Sequence, residues 1–429
     1  MSQLTFATGP SNQGQAGTGL YPETRIVAAI DFGTTHSGFA MAHVDDRRVT
    51  DYRDWPSQIV QYPKNLTCIR YDSNDEVSSW GYNARYAENG FCLERFKLYL
   101  DPNISNMPPL PPRGVVCVIS DYLRVLHQFF LEYMERRYGR MYNNTNVMWI
   151  LTVPAMWNER AKQLMSDSAV QAGIISAQDA NDRLRFRIVL EPEAAAMTCC
   201  EYSNLNALRV NDTFIVVDAG GGTVDLAAYC IAKNPSTGLE SLRELCNGNG
   251  ASCGSTFVDE SFLAFLERKC GSTAVQRFRE TLPRIWHSNI LRPWEQIKRE
   301  FRGSVSFSAG HLVESIAVPP GLKRLMTATD VQRLESESDG EIQMTLNDLK
   351  AMFDPVIQQV IQLINTQIIQ CNNNIPGINI DKIFLIGGFG QSSYLYEAIK
   401  NSFQNIALLR PADCGGAIMA GAVLLGLNH

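Results

Sequence analysis

Two short stretches bring a carboxylate, glycines and threonines together in the same order: Ile30-Asp31-Phe32-Gly33-Thr34-Thr35-His36-Ser37 and Val217-Asp218-Ala219-Gly220-Gly221-Gly222-Thr223-Val224-Asp225. These residue types suit a polyphosphate. Glycines let backbone N–H groups approach an anion, threonine hydroxyls add donors, and an aspartate at the turn can hold a hydrated magnesium ion. In each stretch a β-branched apolar run leads in (Ile26 to Ile30, Phe214 to Val217) and a small-residue apolar run leads out (Gly38 to Ala42, Leu226 to Tyr229). The pattern is strand, tight turn and returning strand, written twice. Two such hairpins face to face would clamp a nucleotide polyphosphate.

Positioning two hairpins takes a large scaffold. At 429 residues and 45% apolar, the chain exceeds one ordinary core and predicts two or more domains. A formal net charge of −6, without a block of like charges, argues against a nucleic-acid or anionic-membrane surface and leaves small molecules or proteins as partners. The 11 cysteines form no Cys-x-x-Cys pair and are odd in number, which predicts free thiols in a reducing compartment. With no signal peptide and no apolar run of membrane length, a cytoplasmic or nuclear location is expected.

Residues 1–24, rich in Gly, Ser, Gln and Thr, read as a disordered lead. The proline cluster Met107 to Pro112 closes a small insertion over about 61–112. Apolar spacing predicts a helix over Ser120 to Tyr138, stopped by Gly139, then a strand over Met148 to Val153 and a helix over Asn158 to Ala172. A strand over Arg185 to Leu190 delivers Glu191-Pro192 to the first turn of another helix, where proline is tolerated. In the second half, Ser255 and Thr256 can cap a helix with Asp259 as capping-box partner, Lys382 to Ile386 is a strand entering Gly387-Gly388, and Asp413 through Leu425 is a small-residue helix. Strands alternating with helices imply an α/β layering.

In order, Asp31-Phe32-Gly33-Thr34-Thr35, Thr152-Val153-Pro154-Ala155, Glu191-Pro192-x-Ala194-Ala195-Ala196, Asp218-x-Gly220-Gly221-Gly222-Thr223-x-Asp225, Gly387-Gly388 and the closing Ala/Gly helix resemble the ATPase domain of the heat shock protein 70 family, within the actin and hexokinase superfamily. The likeness runs from about Arg25 to Gly426 and points to a divergent branch without a peptide-binding domain. It implies an actin-like ATPase fold: two RNase H-like lobes, each with a five-stranded mixed sheet and an inserted subdomain, closing over a nucleotide cleft. Lobe I would span 25–208, completed by 411–429. Lobe II would span 209–410, with its insertion at about 248–329.

The resemblance also implies roles. Asp31 and Asp218 would hold magnesium through water, and Gly33, Thr34, Thr35, Gly220, Gly221, Gly222 and Thr223, with Gly254 and Ser255, would face the phosphates of ATP or ADP. Glu191 would set the attacking water, Asp218 would accept its proton, and Lys97 would aim at the γ-phosphate, with Lys64 as a substitute. Gly387 and Gly388 belong to the same site. Glu295, Lys298 and Arg299 share one helical face: a surface ion-pair stripe by itself, an adenosine contact by resemblance. Asp413 lies near the nucleotide in the family and is equally a helix cap.

Two segments depart from the pattern. Phe389, Gly390 and Gln391 replace a small residue and the second adenine-stacking arginine, leaving Phe389 to stack instead or the base more weakly held. Lys162 replaces the arginine partner of Pro154 in interdomain coupling. His36 and Cys253 read as packed residues. The expected activity is slow, magnesium-dependent ATP hydrolysis driving a conformational switch of chaperone type, served by a client protein, co-chaperone or exchange factor. The alternative is a scaffold or signalling module that binds nucleotide and stalls; a small-metabolite kinase ranks behind both.

Overall fold

The computed structural model describes residues 3–6, 21, 23–58, 61–87, 89–100, 113–202, 208–233, 240–303 and 313–428. A short strand, β1 (Gln3–Phe6), precedes β2 (Ile26–Asp31), β3 (His36–His43) and β4 (Thr50–Asp51). Then come β5 (Asn65–Leu66), β6 (Cys68–Tyr71), β7 (Val77–Trp80), α1 (Gly81–Tyr86), β8 (Phe91–Glu94) and a 3-10 turn, Phe96–Leu100. Next are α2 (Val115–Tyr138), β9 (Val147–Val153), α3 (Glu159–Ala172), β10 (Phe186–Leu190) and α4 (Glu191–Tyr202). The second half opens with β11 (Thr213–Ala219), β12 (Val224–Lys233) and β13 (Glu240–Ala251), followed by α5 (Thr256–Cys270), α6 (Ser272–Thr281), α7 (Pro283–Trp286) and α8 (Arg292–Glu300). It continues through β14 (Val313–Ala317), α9 (Pro320–Lys323), α10 (Ala328–Ser338), β15 (Glu341–Thr345) and α11 (Leu346–Asn374), to β16 (Lys382–Ile386), α12 (Ser393–Ser402), β17 (Ala407–Leu409) and α13 (Ala417–Leu427).

The duplication read in the hairpins extends to two large sheets. One runs β10-β9-β2-β3-β4, with β5 also paired to β3; the other runs β1-β13-β12-β11-β16-β17. In both, the strand carrying the motif aspartate at or beside its end has its hairpin partner antiparallel on one side and a later strand parallel on the other: β3 and β9 flank β2, and β12 and β16 flank β11. A mixed sheet of this kind needs helical crossovers that cover its faces. Helices α4 and α13 pack on each other and contact strands of the two sheets, so Val27, Ala29 and Ile150 share one apolar cluster with Phe214, Val216 and Phe384.

Helix α13 is apolar on nearly every side, as a helix sealed between layers must be. Its approach to α4 depends on a missing side chain: a Cβ on Gly421 would stand 1.7 Å from the Ala194 carbonyl oxygen.

Several helix limits follow capping chemistry. Asn158 accepts from the Ala161 N–H at the start of α3, Ser392 accepts from Leu395 at the start of α12, and Gly139 ends α2. Thr345 and Asp348 form a full capping box for the 29-residue α11. Thr345→Ala is expected to lower stability by about 1 kcal/mol, read as a lower urea midpoint at unchanged slope.

Three expectations change. Part of the lead read as disordered is a strand: β1 pairs antiparallel with β13, whose open edge supplies the backbone partners. The remainder of 1–20 and the proline cluster at 107–112 lie outside the described residues. Helix α2 begins at Val115 rather than Ser120, because Gly114 in extended, positive-φ backbone ends the preceding segment there. At α5, Ser255 makes no side-chain cap; Asp259 instead accepts from Trp294 Nε1 at 2.7 Å and Lys298 Nζ at 2.8 Å. A buried indole N–H and an ammonium outcompete a terminal amide for a carboxylate.

Candidate phosphate site

Strand register places the acids. Asp31 is the last residue of β2, paired across to Gly38 and to Thr152 of β9, while Asp218 is paired with Asp225 and with Ile386 of β16. Both therefore stand where the sheets open into turns. Glu191 begins α4 immediately after β10.

Asp31, Glu191, Asp218 and Asp225 are each at most 8% exposed, as are Lys64 and Lys97. The lysines meet two of the acids directly. Lys64 Nζ lies 2.6 Å from Asp31 Oδ2, and Lys97 Nζ lies 2.8 Å from Glu191 Oε1. Thr152 Oγ1 donates to the other Asp31 oxygen at 3.2 Å, and the Lys97 ammonium stands 5.3 Å from the centre of the Trp157 ring.

Burial governs the protonation of this cluster. It drives the Asp218 carboxyl well above the usual carboxylate range, with Glu191 adding to the rise, and it pushes Glu191 up to about 7 while Lys97 pulls against it. Asp31 holds Lys64 protonated against the opposing effect of burial.

The hairpins touch. A Cβ on Gly221 would lie 2.3 Å from Thr35 Oγ1, and one on Gly222 would lie 3.1 Å from Thr34 Cγ2. Thr34, Thr35, Gly221 and Gly222 thus line opposite sides of one seam. Ser37 accepts from the Gly33 N–H at 3.1 Å, and Thr67 Oγ1 donates to the Gly33 carbonyl at 2.8 Å, so the first turn is braced from β3 and from the loop after β5. Gly220 N–H donates to Thr223 O at 2.9 Å and closes the second turn.

Gly254 and Ser255 do not offer N–H groups to a phosphate in this arrangement. Gly254 donates to Gly222 O and Ser255 to Gly220 O, because the start of α5 docks onto the second hairpin. Gly387 takes positive φ, donates to Cys414 O and lies close to Asp218, a place a side chain would fill. Gly388 and Gly415 lie under Tyr62, whose ring stands edge-on to His36 at 5.6 Å. Burial, with Arg85 adding, lowers His36 to about 3, as befits a packed neutral imidazole.

On the α8 face the ion-pair reading of the stripe is the one the contacts show. Glu295 bonds Lys298 and Arg299 at 2.7 Å each. Against burial, those two cations hold its carboxyl at about 2. The ion-pair stripe is thus real, and it lies close enough for Glu295 and Arg299 to act on His36 across the seam. Asp413 caps: it accepts from the Gly416 N–H at 3.1 Å ahead of α13 and pairs with Arg53.

Phe389 is buried in the second sheet's core rather than placed to stack on a base. Lys162 pairs with Glu159 at 2.8 Å, its helical neighbour, and not with Pro154. Cys253 is buried, as read, its thiol pushed up to about 11 by that burial.

Three residues escaped the motif reading or were underweighted by it. Asp225 had a signal, since it mirrors Asp218 across the hairpin. Lys64, by motif only a substitute for Lys97, reaches a buried carboxylate just as Lys97 does. Arg410 restores a cation near Gln391, donating to its carbonyl at 3.2 Å and lying 4.8 Å over the Tyr396 ring.

Magnesium, expected on Asp31 and Asp218, would have to share the Asp31 carboxylate with a bound ammonium as the site stands. Both oxygens of Asp31 already accept from protein groups, one of them a cation.

Comparison with known proteins agrees with the motifs. Over 94% of its length the chain is 25% identical to heat shock 70 kDa protein 12B of Homo sapiens, covering 68% of that protein, and 26% identical to heat shock 70 kDa protein 12A of Mus musculus, covering 69%. It is 24% identical to the chaperone protein DnaK of Anaplasma marginale over 95% of this chain and 58% of that one. Residues 209–409 match a family described as Domain of unknown function (DUF8340). No helix among the described residues is long and apolar enough to cross a membrane.

Proposed function

We propose that this divergent relative of the heat shock protein 70 family binds a nucleoside triphosphate between its two aspartate hairpins and hydrolyses it slowly as a conformational switch. The observation that carries the reading is the seam itself: two matched turns from two matched sheets, Thr34 and Thr35 against Gly222 and Gly221, with four acids and two lysines buried behind them. In this reading the sheets are the cores of two lobes, and the turns part by a phosphate's width to admit the polyphosphate. Lys97 then faces the terminal phosphate, Glu191 orients the attacking water, and Asp218 accepts its proton. Arg299, and Arg410 beside Gln391, are the cations assigned to the base. ADP is the product retained until the turns part again.

The scaffold reading, binding without turnover, is favoured by one observation. The Gly254 and Ser255 N–H groups are spent on the second hairpin, so fewer donors remain to stabilise charge on a transferring phosphoryl group. Calorimetry with ATP and ADP, followed by single-turnover hydrolysis on the native chain and on Asp218→Asn, separates the two. Hydrolysis that the substitution abolishes with binding retained supports the switch. Binding with no turnover in the native chain selects the scaffold, and no binding of either nucleotide defeats both.

A further inference from the structure

We propose that Lys64 acts as a tethered cation in the phosphate site, supplying charge that a divalent ion would otherwise bring, so that this protein binds nucleoside triphosphate without magnesium. Resting on the nucleotide reading above, the inference begins with where the ammonium is held. Lys64 Nζ is 2.6 Å from Asp31 Oδ2 and the residue is 8% exposed, so this is no surface lysine swinging past an acid. The backbone fixes it from both sides. The Gln58 side-chain amide donates to the carbonyls of Tyr62 and Lys64, each at 3.2 Å, and the next two residues pair with β3, Asn65 with Ser37 and Leu66 with His36. Gly38 leaves the room: a Cβ there would meet Pro63 O at 2.5 Å and Lys64 Cγ at 3.1 Å.

A hydrated magnesium ion is held through carboxylate oxygens that face its water shell and demands near-octahedral geometry. Each Asp31 oxygen already accepts one bond, from the Lys64 ammonium on one side and Thr152 on the other, so a water of that shell would have to share the carboxylate with a fixed cation. An ammonium has three donors, and one suffices for Asp31, which leaves two for phosphate oxygens. Lys97, held on Glu191 at 2.8 Å, brings the second positive charge. Two fixed ammoniums match the charge of one divalent cation, without its hydration shell.

Calorimetry of the full chain with ATP, once in magnesium and once in excess EDTA, tests this directly. Expected is an affinity that chelation leaves nearly unchanged. Lys64→Met should weaken binding in EDTA by about tenfold to a hundredfold, the usual worth of a charge-assisted bond to phosphate, while added magnesium recovers part of the loss. Lys64→Arg, which keeps the charge, should stay insensitive to chelation. Native binding that appears only with magnesium overturns the inference while leaving the nucleotide reading intact. So does Lys64→Met binding at native strength in EDTA. Absence of binding in both buffers removes the nucleotide reading and this inference together. Should Lys64→Met fail to fold, the native comparison decides alone.

Discussion

Gly421→Val is expected to abolish soluble expression or to cost more than about 3 kcal/mol, the upper range for overpacking a core. A Cβ at this position would lie 1.7 Å from the Ala194 carbonyl oxygen and 2.7 Å from Thr198 Oγ1, both on α4. The first contact is with helix backbone, which cannot turn aside as a side chain can. Thr198 is also committed, donating to the Ala417 carbonyl at the start of α13. Relief therefore requires α13 to move away from α4, and that opens the apolar layer shared by the two sheets. Gly426→Ala in the same helix is the control. Its Cβ would meet only the ends of Val27 and Ile150, 2.5 Å and 2.7 Å away, which can shift in part. Urea denaturation of both variants checks the contrast. Equal losses at the two positions would show that the crossing does not depend on the 421 contact.

The second large effect belongs to Lys97→Met, expected to cost about 3 to 5 kcal/mol at pH values above neutrality, because it strands a buried carboxylate. Glu191 is 5% exposed and Lys97 6%, so solvent cannot replace the lost partner. The pH dependence has a definite sign. Burial raises Glu191 to about 7, above the ordinary glutamate range, so the folded state holds a proton that the unfolded chain releases. Its contribution is thus favourable below the unfolded value and is lost as pH rises through about 7. Removing Lys97 takes away the pull that opposed this rise, so the native state keeps the proton to still higher pH. The penalty of Lys97→Met should accordingly shrink as the solution is made more acidic, and Glu191→Gln in the same background should recover most of it. A penalty independent of pH, or no rescue by glutamine, would rule out the buried pair as its source.

Where chemistry is local, it was legible. Asp31 and Asp218 could be placed at strand ends because the apolar runs before them fix both strand and terminus, and the structure puts each aspartate at or beside the end of its strand. Asn158 could be read as a helix start for the same reason. What depended on distant partners was harder to see. Lys64 acquires its meaning from Asp31, 33 positions away, and Asp259 leaves its local capping role for Trp294 and Lys298, 35 and 39 positions on. Phe389 looked like a residue facing a ligand because the motif before it does. The second core lies directly beneath that turn and takes the ring instead. Gln391 looked like a lost cation because the replacement, Arg410, comes from beyond the next helix and strand.

The layer formed by α4 and α13 sets an order of events during synthesis. Strands β2, β3 and β9 and α4 leave the ribosome early, whereas residues 417–427, which cover their inner face, follow only after the whole second sheet has been made. Until then Val27, Ala29 and Ile150 on one side, and Phe214 and Val216 on the other, lack their final neighbours in the shared layer. Contacts between such distant stretches form slowly and leave sticky intermediates. Closing the shared layer is therefore a late step of folding, because α13 can dock only after the strands of both sheets have been made.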